Sequence, residues 1–518
     1  MHKNNTPFYL ALAVLVGLFL GSVLVVDSPL ELFNKSTNEI KMKRLIDFIE
    51  QDYVDAVDTD RLLDGAITQI LEDLDPHSVY IPKEKLQQIS ERMQGNFVGI
   101  GVQFRMIKDS LAVLQAIENG PSYKAGIVSG DRILIADTDT IFGKNLRDSA
   151  LLKVLKGTAK TTVNLQVYRK KSDSLFRVTV TRGNVAIKSV LVSYMLTEAV
   201  GYVKLTRFAR SSYNEFKKAL TELQGLGMTQ LVLDLRGNGG GFIDIANQIL
   251  DEFLPEGKLM VYTKNNKGAI DEFFATKKGA FEEGALFVLM DENTASASEI
   301  VAGALQDNDK GTIVGRRSFG KGLVQQEIDL GDGSAVRLTT ARYYTPTGRS
   351  IQKPYRNTDE KNQYDEDLST RYTSGELFVK DSIKTIDSLR YTTPKGKIVY
   401  GGGGIIPDVF VAIDTTRYGS RIPFIRIQNF AFSYVDSNRK KVESWTFDAF
   451  IAQFDNNDTI AKAFREDLIK NGVTHTVSAQ TYYYLKLAIA TELFGDEGFY
   501  KVNQAQDVML QKVLALIE

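Results

Sequence analysis

The sequence predicts a multidomain α/β chain: a helical amino-terminal segment, a small β-rich domain, an α/β core and a helical carboxy-terminal region. Three observations predict it. Apolar runs at Leu231–Leu235, Ala285–Met290 and Gly311–Val314 each lead into a Gly- or Ser-rich turn, and helical patterns open at Phe242 and near Ala297 after the first two. Residues 96–185 alternate short β-rich runs with glycine-bearing turns. Apolar residues recur at helical spacing on either side of these regions.

At 518 residues, a prior of one domain per ~150 residues gives three or four domains. A content of 43% hydrophobic and 25% charged residues is that of an ordinary globular chain. The net charge of −1 argues against a nucleic-acid partner, which would demand a basic excess.

The first element is Phe8–Val26, an uncharged and almost wholly apolar run of 19 residues, within the ~17–25 needed to span a bilayer. Lys3 precedes it and Asp27 and Glu31 follow. The positive-inside rule then leaves the tail cytoplasmic and the bulk of the chain outside. The expectation is residues 1–30 as a single-pass inner-membrane anchor with the rest in the periplasm or cell envelope; a cleaved signal peptide with secretion to the periplasm is the alternative.

Residues 36–95 read as helices: Leu45, Ile49 and Tyr53 keep helical spacing, as do Leu63, Ile67, Ile70 and Leu74. Pro76 breaks the pattern by disfavouring helix at Asp75, and a further helix runs from Lys83 to Met93. The β-rich stretch spans 96–185. The α/β core spans 186–415, with the polar, aperiodic residues 355–395 read as a surface insertion. Residues 416–518 read as a helical region, either an extension of the core or a subunit interface.

Residue types restrict the chemistry. Cysteine is absent, so there is no thiol nucleophile, disulfide framework or Cys-rich zinc site. The three histidines, His2, His77 and His475, lie far apart in sequence, and no H-E-x-x-H occurs. No metal or organic cofactor is expected. A hydrolase built from this chain needs a base other than histidine.

Three turns could supply a site, since active sites of α/β sheets gather at the carboxyl ends of strands. Arg236–Gly241 exposes backbone N–H groups ahead of a helix, suited to an anion or oxyanion, or is simply a flexible turn. Thr294–Glu299 places Ser296 at a strand-to-helix turn, the position of a nucleophile, although Ser-x-x-Glu is equally a capping box. Gly315–Gly322 nearly matches a phosphate-binding loop. However, Gly322 stands where Ser or Thr should reach magnesium, and strands follow instead of a helix. Lys321 in that loop lies between glycines and near Phe319 and Leu323. A desolvated lysine loses affinity for its proton and can replace histidine as a base.

These segments resemble the carboxy-terminal processing, or tail-specific, serine peptidases. The resemblance is carried by Leu74-Asp75-Pro76-His77-Ser78, Val98–Val102, Leu233–Gly241, Thr294–Leu305, Phe319–Gln325 and Tyr343–Ile351, in the family's order, over roughly residues 40–412. It implies a core of the ClpP/crotonase-like type, Ser296 as nucleophile, Lys321 as base and Gln325 as its orienting partner. It also implies oxyanion donors from the backbone of Gly240, Gly241 and Ala297. Thr294 and Gly239 depart from the family's serine and proline. Residues 96–185 resemble its PDZ module, with Phe97, Ile100, Gly101 and Val102 at the peptide-binding loop. The implied function is a serine endopeptidase that cuts proteins near their carboxy termini, with the PDZ domain capturing the free terminus by strand addition. A homo-oligomer is possible. The competing reading is a non-enzymatic PDZ adaptor on a peptidase scaffold.

Overall fold

The structure, a computed structural model, describes residues 11–14, 37–107, 109–144, 146–276, 279–355, 364–415, 422–456, 458–473 and 477–518. Apart from 11–14, the run Phe8–Val26 lies outside the described residues. Among the described residues no helix is long and apolar enough to cross a membrane.

The chain divides into two compact units, Met1–Leu74 and Asp75–Glu518. The first contains α1 (Thr37–Asp52) and α2 (Thr59–Glu72), the latter capped by Asp58, whose carboxylate accepts from Arg61 N–H. The expected 36–95 helical domain is therefore divided. Within the second unit, Val79–Ile81 forms a short strand, β1, pairing with Ala335–Arg337. Three residues are too few for strand alternation to stand out between two helical patterns. Helix α3 (Lys83–Gln94) ends at Gly95, whose φ of +79° caps it in the left-handed conformation.

The β-rich segment forms one antiparallel sheet in the order β3-β4-β5-β6-β7 (Val102–Ile107, Ser110–Ala116, Asp131–Ala136, Thr162–Arg169, Ser174–Thr181). Helix α4 (Asp148–Leu155) contributes Leu151 and Leu155 to the core beneath it. Strands β2 (Asn96–Gly99) and β8 (Gly183–Ala186) pair where the chain enters and leaves.

The core is a sheet in the order β9-β10-β11-β14-β15-β18 (Val190–Met195, Val200–Leu205, Gln230–Asp234, Ala285–Met290, Gly311–Gly315, Val409–Phe410). All neighbours are parallel except β9 and β10. Strand alternation divides two cores. Leu231, Leu233, Leu286 and Val288 face α5 (Ser212–Gly225), α6 (Ile243–Leu250) and α7 (Ala297–Asp307). Val232, Phe287 and Leu289 face the opposite way. Every residue of α7 is buried. A second sheet contains β12 (Leu259–Asn265), β13 (Ile270–Phe274), β16 (Leu323–Asp329) and β17 (Ala335–Tyr344), and its Tyr343 packs in the same cluster as α7.

Arg349, fully buried after β17, donates to Asp307 Oδ1 (2.7 Å), Gln306 Oε1 (2.7 Å) and the Tyr400 carbonyl (2.9 Å), tying the end of α7 to the following loop. Removing one partner of a buried ion pair leaves the other uncompensated. Arg349→Met is therefore expected to cost about 3–5 kcal/mol, read as a lowered urea midpoint.

Most described residues of the 355–395 segment are exposed or half-buried, but a few of its side chains turn into the core. Helix α8 (Asp367–Thr373) carries Arg371, which is buried and donates to the Arg317 and Ser318 carbonyls, and Tyr364 and Glu376 are buried beside it. The segment reads as polar because most of its described residues are exposed, and sequence pattern does not separate the few that turn inward.

The carboxy-terminal region is helical: α9 (Phe424–Ser437), α10 (Phe447–Asn456), α11 (Thr459–Lys470), α12 (Ala479–Asn503, broken at Gly495) and α13 (Val508–Ile517). Phe432 of α9 packs with Ile107 and Ala112 of the β-rich domain, and Asp436 pairs with Arg132 at 2.8 Å. Helix α13 covers the far face of the core sheet through Met509, Leu510 and Val513. The region thus extends the core.

Candidate active site

The carboxyl ends of β11, β14 and β15 bring the three turns together. After β11 the chain runs through Arg236–Gly241 into α6. Gly240 has a φ of +97°, and a Cβ there would stand 2.8 Å from Ser296 Cβ, the Ala295 carbonyl and Ala297 N. Only a residue without a side chain lets this loop lie against the turn carrying Ser296. Asn238 straps the two together: its carbonyl accepts from Ala295 N (3.0 Å) and Ser298 Oγ (2.9 Å), and its amide donates to the Leu205 carbonyl (3.0 Å). Gly240 N–H, expected as an oxyanion donor, instead donates to Asn238 Oδ1 (2.9 Å). Short Asx turns of this kind satisfy the loop internally. Gly241 and Ala297 line the cleft beside it.

Ser296 is half-buried at the amino end of α7 with φ +57° and ψ −118°, a conformation costly for a non-glycine residue. Its N–H donates to Glu299 Oε2 at 2.8 Å. Glu299, read from sequence only as a helix cap, does more. It is fully buried and also accepts from Ser318 Oγ (2.5 Å), Gly320 N (2.7 Å) and Lys321 N (2.9 Å). Burial raises its carboxyl above the ordinary range, against the pull of these hydrogen bonds. One carboxylate thus holds the serine turn and the lysine loop in register.

The loop after β15 leads from Lys321 directly into β16 and not into a helix, which removes the phosphate-loop reading. Burial, followed by the charge of Arg337, pushes Lys321 down from 10.5 to about 8, while Asp75 and Glu299 oppose the shift. Its Nζ donates to Gln325 Oε1 (2.8 Å), and Gln325 Nε2 donates to the His77 carbonyl. Asp75, buried, shapes that turn by accepting from His77 N (2.8 Å), Ser78 N (2.9 Å) and Ser78 Oγ (2.6 Å). The His77 ring is pushed down to about 4 by burial and then by Lys321, and its Nε2 meets Tyr364 Oη. Near neutral pH the His77 ring is therefore uncharged.

A cleft of about 560 Å³ passes over this arrangement. Ser296, Ala297, Gly239–Gly241, Lys321 and Gln325 line it, with Met93, Ile243, Ile300, Leu323 and Tyr343 as apolar walls. Arg210, Asp244, Glu327 and Arg337 add charge. Among the described residues no group of three or more His, Cys, Asp or Glu side chains is placed to hold a metal ion.

The four residues of the expected peptide-binding loop lie together at the start of the β-rich domain. Phe97 pairs with Val185, and Lys156 Nζ sits 5.0 Å from its ring. Ile100 is turned into the domain core, so it does not offer its side chain to a ligand as expected. Gly101, with φ +73°, abuts Pro121 and Val185. Val102 opens β3, the end strand of the sheet.

Residues 199–361 match the profile of peptidase family S41, residues 98–180 that of a PDZ domain, residues 27–85 that of the activating protease CtpB N-terminal domain, and residues 426–495 that of a family of unknown function. The chain is 35% identical over 344 residues to a carboxy-terminal-processing protease of Bartonella bacilliformis, covering 65% of this chain and 78% of that protein. It is 32% identical over 318 residues to carboxy-terminal processing protease CtpB of Bacillus subtilis, covering 60% and 65% respectively. A solved structure of a photosystem II D1 C-terminal processing protease aligns at 26% identity and a TM-score of 0.38, over 72% of this chain and 86% of that one. Nothing in these relatives favours an adaptor without activity. The chain belongs to peptidase family S41, as a carboxy-terminal processing serine protease that carries a PDZ domain.

Proposed function

We propose that Ser296 and Lys321 form the catalytic dyad. The observation that carries this reading is a lysine pushed down to about 8 by burial, lining the same cleft as a serine held in a strained strand-to-helix turn. Neutral Lys321, oriented by Gln325, takes the Ser296 Oγ proton as the oxygen attacks a peptide carbonyl. The N–H groups of Gly241 and Ala297 receive the oxyanion, and Gly240 shapes the loop. The lysine then gives its proton to the departing amine, leaving an acyl-enzyme. Water, deprotonated by the same lysine, releases the acyl group and restores the serine.

The PDZ domain takes the free carboxy terminus of a loosely folded substrate along the edge of β3, beside Phe97, Gly101 and Val102. The boundaries proposed for the PDZ module and peptidase core are 96–185 and 186–415. Phe8–Val26 anchors the chain in the inner membrane, with the catalytic part on the envelope side. The apolar walls of the cleft favour an apolar side chain at the cut.

The test uses the full-length chain in detergent with an unstructured protein ending in an apolar tail, followed by intact mass. The rate is expected to rise with pH through about 8 and then level, as Lys321 loses its proton. A flat profile from pH 6 to 10, with the fold intact, would sink the dyad. Stability should move the same way. Between about 8 and 10.5 the unfolded chain binds a proton that folded Lys321 does not, so this group favours folding increasingly as pH rises through that window.

A further inference from the structure

The glycine loop is entered through Arg236, and Arg236 is gripped from the far end of the chain. Its Nη1 donates to Asp507 Oδ1 at 2.9 Å and its Nη2 lies 2.8 Å from Asp507 Oδ2. On its other side Nε and Nη2 hold Asp234 at 3.0 Å and 2.6 Å. Asp234 in turn accepts from Arg236 N (2.9 Å), Lys204 Nζ (3.1 Å) and Tyr202 Oη (2.6 Å), and Lys204 Nζ also reaches the Arg236 carbonyl. Two carboxylates thus face two cations, and Lys204, Asp234 and Asp507 are each buried. Both backbone groups of Arg236 belong to the network, and the next residue, Gly237, donates to Asp291 at 2.9 Å.

We propose that Asp507 is a positioning residue for peptide hydrolysis: by holding Arg236 it fixes the path of the glycine loop, so that α13 is part of the active-site scaffold. The inference rests on the Ser296–Lys321 reading. Without Asp507, two cations compete for Asp234, and a buried positive charge is left uncompensated. Relief comes by moving the Arg236 side chain or its backbone, and the backbone leads into Gly239–Gly241. Of the apolar cleft walls only Ile243 follows this loop, while Met93, Ile300, Leu323 and Tyr343 are carried by other elements, so substrate binding is not the main step disturbed.

Asp507 also caps α13, accepting from Met509 N (3.1 Å) and Leu510 N (3.2 Å). Asparagine caps a helix about as well as aspartate, so Asp507→Asn removes the charge and keeps the cap. In the full-length chain this variant is expected to lose about tenfold to a hundredfold in kcat, the scale of a misplaced reacting geometry. KM should stay within about twofold. Asp507→Glu, which restores the charge, should recover part of the loss. Rates are counted per active serine by labelling with a fluorophosphonate, which corrects for any unfolded fraction. Wild-type kcat per labelled site in Asp507→Asn would overturn the proposal, and so would a loss that appears only in KM. Labelling of the wild type at a residue other than Ser296 would instead remove the dyad reading beneath it, and the labelled position tells the two failures apart.

Discussion

Ser296→Ala and Lys321→Ala are each expected to lower the cleavage rate by about 10⁴-fold or more, with melting temperatures close to wild type. Neither change creates a large cavity, and alanine keeps the +57° backbone of Ser296 no worse than serine does. Nucleophile and base act as a unit, so removing the second after the first should cost almost nothing more. The double variant is therefore expected to match the slower single one. Intact-mass time courses on one unstructured substrate measure all three. Multiplying losses would mean that the two groups act in separate steps, and the proposed proton transfer between them would fall.

Gly240→Ala ranks next. Alanine at a φ of +97° is strained, by about 1–3 kcal/mol, and its methyl would stand 2.8 Å from three atoms of the serine turn. Relief requires the loop and the turn to separate, which moves Gly241 and Ala297, the proposed oxyanion donors, apart. A loss of about 10²–10³ in kcat is expected, the scale of a missing oxyanion donor. The control is Gly239→Ala, whose added Cβ meets nothing within 4 Å and whose φ is ordinary. It should retain most activity. Equal damage at both positions would show that loop flexibility, and not the close approach at Gly240, matters.

Much of this was legible in the sequence because the relevant signals are local. The core strands run apolar for five or six residues and stop at polar turns, so the strand bounds Ala285–Met290 and Gln230–Asp234 fall within a residue of the sequence reading. Residue type and turn context point to Ser296 and Lys321, the family resemblance adds Gln325, and all three line one cleft. The remainder depends on contacts without a local trace. Glu299 has the sequence signature of a cap, and its bonds to Ser318, Gly320 and Lys321 are made across the site. Tyr364 and Arg371 sit in a stretch that looks solvated because it is polar. Asp507 lies 271 residues from Arg236, beyond the reach of any periodicity. The Gly240 N–H was misjudged because glycine content says that a loop can expose an amide, not whether a neighbouring asparagine has already taken it.

The single carboxylate of Glu299 bears on how such a site can drift over generations. Since it fastens both the serine turn and the lysine loop, the two motifs share one tolerance to change. A substitution that weakens this fastening disturbs the proposed nucleophile and base together, and repair in either loop alone restores neither. Descendants of such a chain would tend to keep the whole arrangement or lose it in one step, leaving few half-functional forms between.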